Sequence, residues 1–568
     1  MDSAPQLEPS SAIPVPAPEP APQTSELPQS EAPVRRSRWR VLGRVWRFAK
    51  KWPPALTIWG TLALFAGLLI WYARTESFAW DEGFHLLTAQ LILRGRHPYV
   101  DFFFPQVPLN AYWNAFWMGR FGEGWKVPHV VAAILIIVSA AVLVQYICRR
   151  LKGSLWFGAA GLAATLLFCT NAQIVSFGPI GQGYALCLLL SIISFRLTLL
   201  SAGERWPLFA FLGGLAAGAA AGSTLLGAPV VPVFMLWILW ASRRGSRWFK
   251  PVAFLLGALI PFVPVYMLWR LSPENVVFNI FKYHLYFREV DWDGAIKHDV
   301  GQLASWLDSV PSFLLGLLAL VGAVAVVRQG WFARDWNLRS YAPYDSGFQR
   351  RAELYLCILW VVGEAIHISR AHPTFARYYM LCVPGLCVLA TSGLILAGKR
   401  LWRSPRPWAT AGPLSALLVL GIGQTLLSDD EGMRWRDFDE LAKKVNEVVP
   451  ANTRILADEH VYFLSRRTPP EGFEHEDSHK LKLPADQARR LHVVNKDDVK
   501  KQVDTGRFEA VVTCDDDDDI ADRKLPELFA RTAEAGSCKV FWQPTGKPDS
   551  PSPDEVKSES PKTAKGKK

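Results

Sequence analysis

The chain has 568 residues, of which half are hydrophobic, and it carries 24 Trp, 32 Phe and a formal net charge of +11. In a soluble protein of this length the charged residues would be spread along the chain, whereas here short basic segments alternate with long apolar ones. This pattern excludes an ordinary soluble globular protein. It also indicates that the positive charge sets membrane topology and does not bind nucleic acid.

The N-terminal segment, residues 1–50, is predicted to be disordered and cytoplasmic. Residues 1–34 are rich in Pro, Ser and Glu and contain no Lys or Arg, a composition that cannot bury a hydrophobic core. Eight basic residues follow between Arg35 and Lys51, directly before the first apolar stretch. This order indicates an uncleaved membrane anchor whose N-terminus lies in the cytoplasm.

Residues 51–427 are predicted to form a polytopic α-helical membrane domain. A helix needs about 20 apolar residues to cross the hydrocarbon core of a bilayer, and eleven stretches of the chain approach this length. The predicted spans are 54–73, 129–148, 154–171, 183–201, 207–224, 228–241, 251–270, 308–327, 353–369, 379–397 and 408–427. Because eleven crossings start in the cytoplasm, the C-terminus is expected on the extracytoplasmic side.

The charges of the loops support this topology. The predicted inner loops carry clusters of basic residues, as at Arg149, Arg150 and Lys152, whereas the short outer turns 170–182 and 222–229 carry none. Basic loops are retained on the cytoplasmic side of a membrane. We therefore expect a multi-pass protein of the cell (inner) membrane, with a large first outer loop at residues 74–128.

Residues 428–544 are predicted to form a small extracytoplasmic α/β domain, and the tail 545–568 to be disordered. The sequence favours strands at Thr453–Ala457, Glu509–Cys514 and Lys539–Trp542. It favours helices at Trp435–Val449, Lys496–Gln502 and Leu525–Ala535. Cys514 and Cys538 lie at the end of one predicted strand and the start of another, so a disulfide and two free thiols both remain open.

The first outer loop begins with two adjacent carboxylates in an aromatic setting, Asp81 and Glu82, within the stretch 78–85. Such a pair can act as a general base or hold a cation, because desolvation by aromatic neighbours raises the basicity of a carboxylate. The alternative is the solvated beginning of a loop. Composition alone does not decide between these two interpretations.

Four stretches resemble a known superfamily of membrane enzymes. The acidic pair is followed by a helical segment that ends in Arg-Gly, then by a Pro-Leu-aromatic stretch, and an Arg-Tyr pair opens a late span. These features stand at residues 80–83, 87–95, 104–113 and 376–386. Together they resemble the GT-C glycosyltransferases, in particular the protein O-mannosyltransferase and lipid A aminoarabinose transferase group. Asp101 matches the second acidic position of that group loosely.

The resemblance implies a GT-C-like fold and an inverting glycosyltransferase, of the hexosyl- or pentosyltransferase class. Its donor would be a polyprenyl-phosphate sugar, and its acceptor a lipid, glycan or protein of the cell envelope. Asp81 would accept the proton of the acceptor hydroxyl, with Glu82 and Asp101 as further catalytic candidates. Many relatives have Lys-Pro-Pro where this chain has Gln106, Val107 and Pro108, so the resemblance does not assign the sugar.

Basic residues on the outer side are candidates for binding the donor phosphate, because guanidinium groups bind phosphate oxygens bidentately. Arg377 and Tyr378 stand at the start of the tenth span, where a phosphate of the outer leaflet would lie. The other candidates are Arg370, Lys282, His284 and Arg288. Alternatively, Arg377 snorkels beside an interfacial Tyr, and His284 is a packed histidine.

Two rival functions remain from the same sequence. A transporter or flippase of an envelope substrate would show intramembrane charge pairs or inverted repeats, and a polysaccharide ligase or polymerase would place its basic residues in a large late outer loop. The spacing of the His and Cys residues predicts no metal site. The resemblance leaves a requirement for a divalent metal open.

Overall fold

The structure is a computed structural model. It describes residues 54–203, 206–242, 248–287, 295–330, 351–371, 373–428, 434–514, 520, 523–536 and 538–545. The segments predicted to be disordered at the two ends lie outside these residues, apart from position 545. Arg288 also lies outside them.

Helices make up the first part of the described chain. They are α1 (Pro54–Thr75), α2 (Glu82–Leu93), α3 (Leu109–Phe121), α4 (Lys126–Arg150), α5 (Phe157–Cys169), α6 (Ala172–Ser176), α7 (Tyr184–Gly203), α8 (Leu208–Ser223), α9 (Val230–Ala241), α10 (Phe249–Leu259), α11 (Val263–Leu271), α12 (Pro273–Val277), α13 (Ala295–Asp308), α14 (Val310–Gly330), α15 (Arg351–Ile368), α16 (Val383–Leu401) and α17 (Pro407–Ser428). A π-helix, Phe278–Phe287, and a 3-10 helix, Ala376–Cys382, precede α13 and α16.

Each predicted span overlaps one of these helices. Six helical stretches among the described residues are long and apolar enough to cross a membrane, so the chain is a multi-pass membrane protein. They are Pro54–Thr75, Lys126–Arg150, Tyr184–Ala202, Phe249–Leu271, Val310–Arg328 and Ala376–Leu401. The other five predicted spans correspond to shorter helices, or to α15 with its charged residues, and their crossing of the membrane remains a prediction.

Glycines allow α8 and α10 to pack with their backbones in contact. A Cβ atom at Gly214 would lie 1.8 Å from the carbonyl oxygen of Phe254, and one at Gly218 would lie 2.1 Å from that of Ala258. In lipid, where hydrophobic burial does not drive helices together, such close approach supplies the van der Waals contact that holds them. The spacing of Gly214 and Gly218 by about one helical turn places both against the backbone of α10.

The C-terminal part contains a four-stranded sheet of order β1-β2-β4-β3. Its strands are β1 (Ile455–Leu456), β2 (Ala510–Thr513), β3 (Phe529–Ala535) and β4 (Cys538–Pro544). Only the β1–β2 pair is parallel. The helices of this part are α18 (Trp435–Val448), α19 (Glu459–Ser465), α20 (Ala485–Arg490), α21 (Lys496–Asp504) and α22 (Leu525–Leu528). The three predicted strands and the first two predicted helices are therefore present.

The helix predicted at Leu525–Ala535 is wrong beyond its first turn. Residues Phe529–Ala535 form β3, which pairs with β4 through an antiparallel ladder that ends at Ala535 and Cys538. Gly536 turns the chain between them with a φ of 64°. The Ala and Glu residues of this stretch favour a helix, but strand pairing overrides that preference. A disulfide joins Cys514 to Cys538, which decides between the two alternatives.

The C-terminal part packs directly on the first outer loop. Helix α19 lies against α2, where the Gln90 side-chain amide donates a hydrogen bond to the Phe463 carbonyl at 3.2 Å. Arg96 forms an ion pair with the buried Glu474 at 2.7 Å. One hydrophobic cluster contains Leu86 and Leu87 from the loop together with Trp435 and Phe438 from α18. The first outer loop and the C-terminal part therefore share one hydrophobic core.

Candidate active site

The two adjacent carboxylates of the first outer loop point in different directions. Asp81 occupies the N-cap position of α2, and Glu82 is the first residue of that helix. The Asp81 side chain is 47% exposed, whereas Glu82 is 0% exposed. A single helix start therefore supplies one carboxylate that substrate can reach and one that it cannot.

Glu82 is anchored by three groups from distant parts of the chain. One oxygen lies 2.6 Å from Nε2 of His129 and accepts a hydrogen bond from the Gly181 backbone N–H. The other oxygen accepts the Trp435 indole N–H at 3.1 Å. Since both oxygens are engaged inside the protein, Glu82 fixes the position of the loop and does not face a substrate. The prediction of Glu82 as a catalytic candidate is therefore not supported by its geometry.

Asp81 forms an ion pair with Arg377 of the 3-10 helix that precedes α16. The Arg377 side chain is only 14% exposed. Its guanidinium carbon lies 4.3 Å from the ring centre of Phe375 and 5.8 Å from that of the buried Tyr378. Aromatic faces stabilise a desolvated cation. The sequence predicted both partners, and the fold brings them together.

Two buried histidines lie beside this ion pair. Burial, with smaller contributions from His475 and Arg377, lowers the pKa of His85 from 6.5 to about 3. Burial likewise lowers the pKa of His475 to about 4. The Phe84 ring contacts both imidazoles, with ring centres 4.2 Å apart in each case. Both histidines are therefore neutral at physiological pH.

These histidines have different origins in the sequence. His85 stands inside the stretch that drew attention to Asp81, but nothing in the pattern gave it a role. His475 belongs to a polar segment of the C-terminal part, and no signal in the sequence connects it to the first loop. Only the packing of α19 against α2 brings it there.

Solved structures were compared with this architecture. ArnT from Cupriavidus metallidurans bound to undecaprenyl phosphate matches with a TM-score of 0.60 and 14% identity, covering 86% of this chain and 98% of that chain. The apo state of the same protein matches with a TM-score of 0.59. This chain shares the fold of that protein. The predicted fold class, a polytopic helical protein with a small C-terminal sheet, is confirmed.

One further solved structure is less similar to this chain. The oligosaccharyltransferase of Archaeoglobus fulgidus in complex with Zn and sulfate matches with a TM-score of 0.47 and 14% identity, covering 72% of this chain and 62% of that one. The sequence matches no protein-family model and no curated protein. The similarity is therefore one of three-dimensional structure.

Asp101 has a local structural role in the first outer loop. Its carboxylate accepts the backbone N–H of His97 at 2.6 Å, and Arg96 donates to its backbone carbonyl at 2.7 Å. These contacts close a turn that holds Tyr99 at a positive φ of 68°. No described contact connects Asp101 with Asp81 or Arg377.

The other predicted phosphate-binding residues are spread out. His284 contacts the carbonyl oxygen of Pro105 through Nε2 at 2.8 Å, so it ties the π-helix to the first outer loop. Lys282 is exposed on the same π-helix. Arg370 lines an apolar groove elsewhere in the fold. Among the candidates within the described ranges, only Arg377 and Tyr378 contact or adjoin Asp81.

The apolar groove has a volume of about 660 Å³ and lies between the ends of α9, α10 and α15. Pro229, Val233 and Leu259 contribute to its walls, and His367 and Arg370 are the polar residues of its lining. His367 is held by the carbonyl oxygen of Leu225 at 3.2 Å from Nε2. The groove therefore combines an apolar lining with the guanidinium of Arg370.

A metal site does not emerge from the part of the chain that the structure describes. No group of three or more His, Cys, Asp or Glu side chains there is arranged to hold an ion. Whether the protein requires a divalent metal, which the resemblance left open, stays open.

Proposed function

We propose that this protein transfers a sugar from a polyprenyl-phosphate donor to an acceptor of the cell envelope, a lipid, polysaccharide or protein, on the extracytoplasmic face, with inversion at the anomeric carbon. The observation that carries the proposal is the Asp81–Arg377 ion pair, which places an accessible base beside a desolvated cation at the start of a long apolar helix. A GT-C fold shared with a protein bound to undecaprenyl phosphate supports it.

Arg377 is proposed to bind the donor phosphate. The leaving group of the reaction is a phosphate anion, which needs positive charge and no proton donor. A guanidinium meets two phosphate oxygens at once, and its attraction is strengthened where aromatic rings exclude water. Phe375 and Tyr378 supply such rings here.

Asp81 is proposed to be the general base. In the absence of donor its carboxylate is paired with the Arg377 guanidinium. When phosphate oxygens compete for the guanidinium, the carboxylate is freed to accept the acceptor's proton. The acceptor oxygen then forms a bond to the anomeric carbon as the bond from that carbon to the phosphate oxygen breaks. The electron pair leaves with the phosphate, and attack from the opposite face inverts the sugar.

The apolar groove is proposed to bind part of the polyprenyl tail. Its walls are almost entirely hydrocarbon, and Arg370 stands among its lining residues. A tail held there would keep the lipid in the bilayer while its phosphate reaches the outer surface. Each buried methylene group of the tail contributes about 0.8 kcal/mol.

The test is complementation of a deletion strain, with mass analysis of its envelope lipids, polysaccharides and proteins. Wild type should restore a sugar modification that the deletion removes. Asp81→Asn keeps size and hydrogen bonding but loses basicity, so it should restore at least about 100-fold less. Asp101→Asn, which keeps the turn, and Asp486→Asn, at an exposed site of α20, should restore it.

Immunoblotting of membranes must show equal amounts of each variant. If Asp81→Asn complements as well as wild type, Asp81 is not the base. If instead Asp101→Asn fails while Asp81→Asn complements, the catalytic carboxylate has been misassigned between them. An envelope that is unchanged by deletion and overexpression alike would contradict the transferase itself.

A further inference from the structure

His475 brings a buried and unused hydrogen-bonding atom to the proposed site. Its side chain is 3% exposed and packs against Phe84 and Phe103, with ring centres at 4.2 and 5.6 Å. Within the described part of the protein, its Nε2 atom has no hydrogen-bond partner. Leaving a polar atom buried and unpaired costs about 1–3 kcal/mol, so this arrangement needs a reason.

The other ring nitrogen fixes which atom carries the proton. Nδ1 of His475 accepts the backbone N–H of Asp477 at 3.1 Å, so Nδ1 must be unprotonated. The nearest carboxylate on that side, Glu459, lies 3.9 Å away, beyond hydrogen-bonding distance. Because the imidazole is neutral, its single proton resides on Nε2. The unused atom is therefore a donor, and it faces away from Asp477.

The surroundings of this donor are those of the transfer site. The charges of Asp477 and Asp81 raise the pKa of His475, and the charge of Lys480 lowers it. His85 contacts Phe84, and the charges of His475 and Arg377 lower the pKa of His85. In a sugar phosphate the sugar ring is bonded directly to the phosphate. A phosphate on Arg377 would therefore place sugar hydroxyls beside these residues.

We propose that Nε2–H of His475 donates a hydrogen bond to a hydroxyl or ring oxygen of the donor sugar, so that the C-terminal part of the chain completes the sugar-binding site. The rings of Phe84 and Phe103 form an apolar surface next to that donor. This assignment rests on the proposed function, and it makes His475 a substrate-binding residue that the first outer loop cannot supply.

The test compares lipids with and without a sugar. Full-length protein in lipid nanodiscs is titrated with undecaprenyl phosphate and with undecaprenyl phosphates that carry glucose, galactose, mannose or arabinose. Wild type should bind at least one sugar-bearing lipid about tenfold more tightly than the bare lipid. The shorter His475→Asn side chain keeps an acceptor near Nδ1 but has no donor at the position of Nε2. The preference should therefore fall below about threefold. His475→Gln, which places an amide N–H near Nε2, should keep most of it.

His479 provides the matched control. It is a partly buried histidine whose enclosed Nε2 is also unpaired among the described atoms, but it packs on Phe473 inside the C-terminal part. His479→Asn should leave the sugar preference as in wild type. Equal loss in both variants, or no loss in His475→Asn, would overturn the assignment of His475 alone. Failure of bare undecaprenyl phosphate to bind wild type would overturn the proposed function as well.

A second measurement observes the wild-type protein and uses a variant only to assign signals. In ¹⁵N-histidine NMR spectra of the wild-type protein, the His475 signals are identified by their loss in His475→Gln. They should show the Nε2–H tautomer, and the Nε2 signal should shift with the sugar-bearing lipid and not with the bare lipid. An Nδ1–H tautomer, or an identical response to both lipids, would contradict the proposal.

Discussion

At the scale of single residues, Asp81 and Glu82 show how burial separates the roles of two adjacent carboxylates that look equivalent in the sequence. Arg377 is largely buried on aromatic rings, yet its ion-pair partner is half exposed. Glu82 is fully buried with partners for both oxygens. A charged group that is partly accessible can exchange its partner for a substrate. A charged group whose hydrogen bonds are all made inside the protein stabilises the structure.

The first prediction at this scale concerns Arg377. Arg377→Lys keeps the positive charge but replaces the planar fork by a point charge. A phosphate clamp should lose about one charge-assisted hydrogen bond, worth about 1.5–3 kcal/mol, so undecaprenyl phosphate should bind at least about tenfold more weakly. Titration in nanodiscs measures the change, with insertion checked by membrane fractionation. Unchanged affinity would mean that Arg377 only snorkels and pairs with Asp81.

The second prediction concerns Glu459 in α19. Burial raises its pKa to about 8, and its oxygen accepts the Glu476 backbone N–H at 2.7 Å. The unfolded chain loses this proton near pH 4.5, so the folded state alone keeps it between about pH 4.5 and 8. Stability must therefore fall as pH rises through that window.

Glu459→Gln removes this dependence and keeps the accepting oxygen. The variant should unfold about 2–4 °C above wild type at pH 8.5 and within about 1 °C of it at pH 4.5. Thermal unfolding of both proteins in the same detergent at the two pH values measures the difference, and contributions of the buried histidines cancel in the comparison. Glu440→Gln, at an exposed position of α18, is the control. A shift of equal size at both pH values would contradict the assignment.

At the scale of secondary-structure elements, the α8–α10 pair shows what holds this fold inside a membrane. A Cβ atom at Gly257 of α10 would lie 2.1 Å from the carbonyl oxygen of Phe211, which mirrors the contacts of Gly214 and Gly218 on α8. Each helix therefore presents its glycines to the backbone of the other. Since backbone atoms cannot move aside as side chains do, the pair tolerates little added volume.

The prediction at this scale is that Gly218→Leu separates the two helices and destabilises the protein. Its Cβ would meet the Ala258 backbone, and we expect the loss to exceed about 3 kcal/mol, the upper range for overpacking. Gly67→Leu on α1 is the matched control, because a Cβ there meets nothing within 4 Å. Size-exclusion profiles and thermal unfolding in detergent distinguish the two. Similar behaviour of both variants would show that the close contact carries no stability.

At the scale of the whole molecule, the C-terminal part and the first outer loop must lie on the same side of the membrane, because they share one hydrophobic cluster. The Cys514–Cys538 disulfide is of the kind that persists in an oxidising compartment. Both observations agree with the predicted topology, in which the loop and the C-terminal part are extracytoplasmic.

The prediction at this scale is tested with reporter fusions. A reporter that is active only in the periplasm should give high activity when fused after Leu427 and low activity after Gly398. Lys399 and Arg400 in the last turn of α16, and Arg403 in the short loop that follows, should remain in the cytoplasm. Low activity after Leu427 would place the C-terminal part inside and remove the basis for the site.

The amino-acid sequence by itself determined where the long apolar helices lie, because apolar length acts locally and needs no partner. It also singled out Asp81 and Arg377, since each stands at the end of a hydrophobic stretch in a motif that resembles a known group. It placed Cys514 at the end of one predicted strand and Cys538 at the start of another, and it left their pairing open. These features are all properties of a few consecutive residues.

Only the tertiary structure decided which residues share a site. The contacts that build the site join segments from 47 to several hundred residues apart. They are the Asp81–Arg377 ion pair, the burial of Glu82 against His129 and Trp435, and the approach of His475 to Phe84. The same applies to β3, where pairing with β4 overrode a local helical preference. Burial and hydrogen-bond partners arise from packing, and no local pattern encodes them. The adjacent residues Asp81 and Glu82 therefore have different roles because only one of them is enclosed.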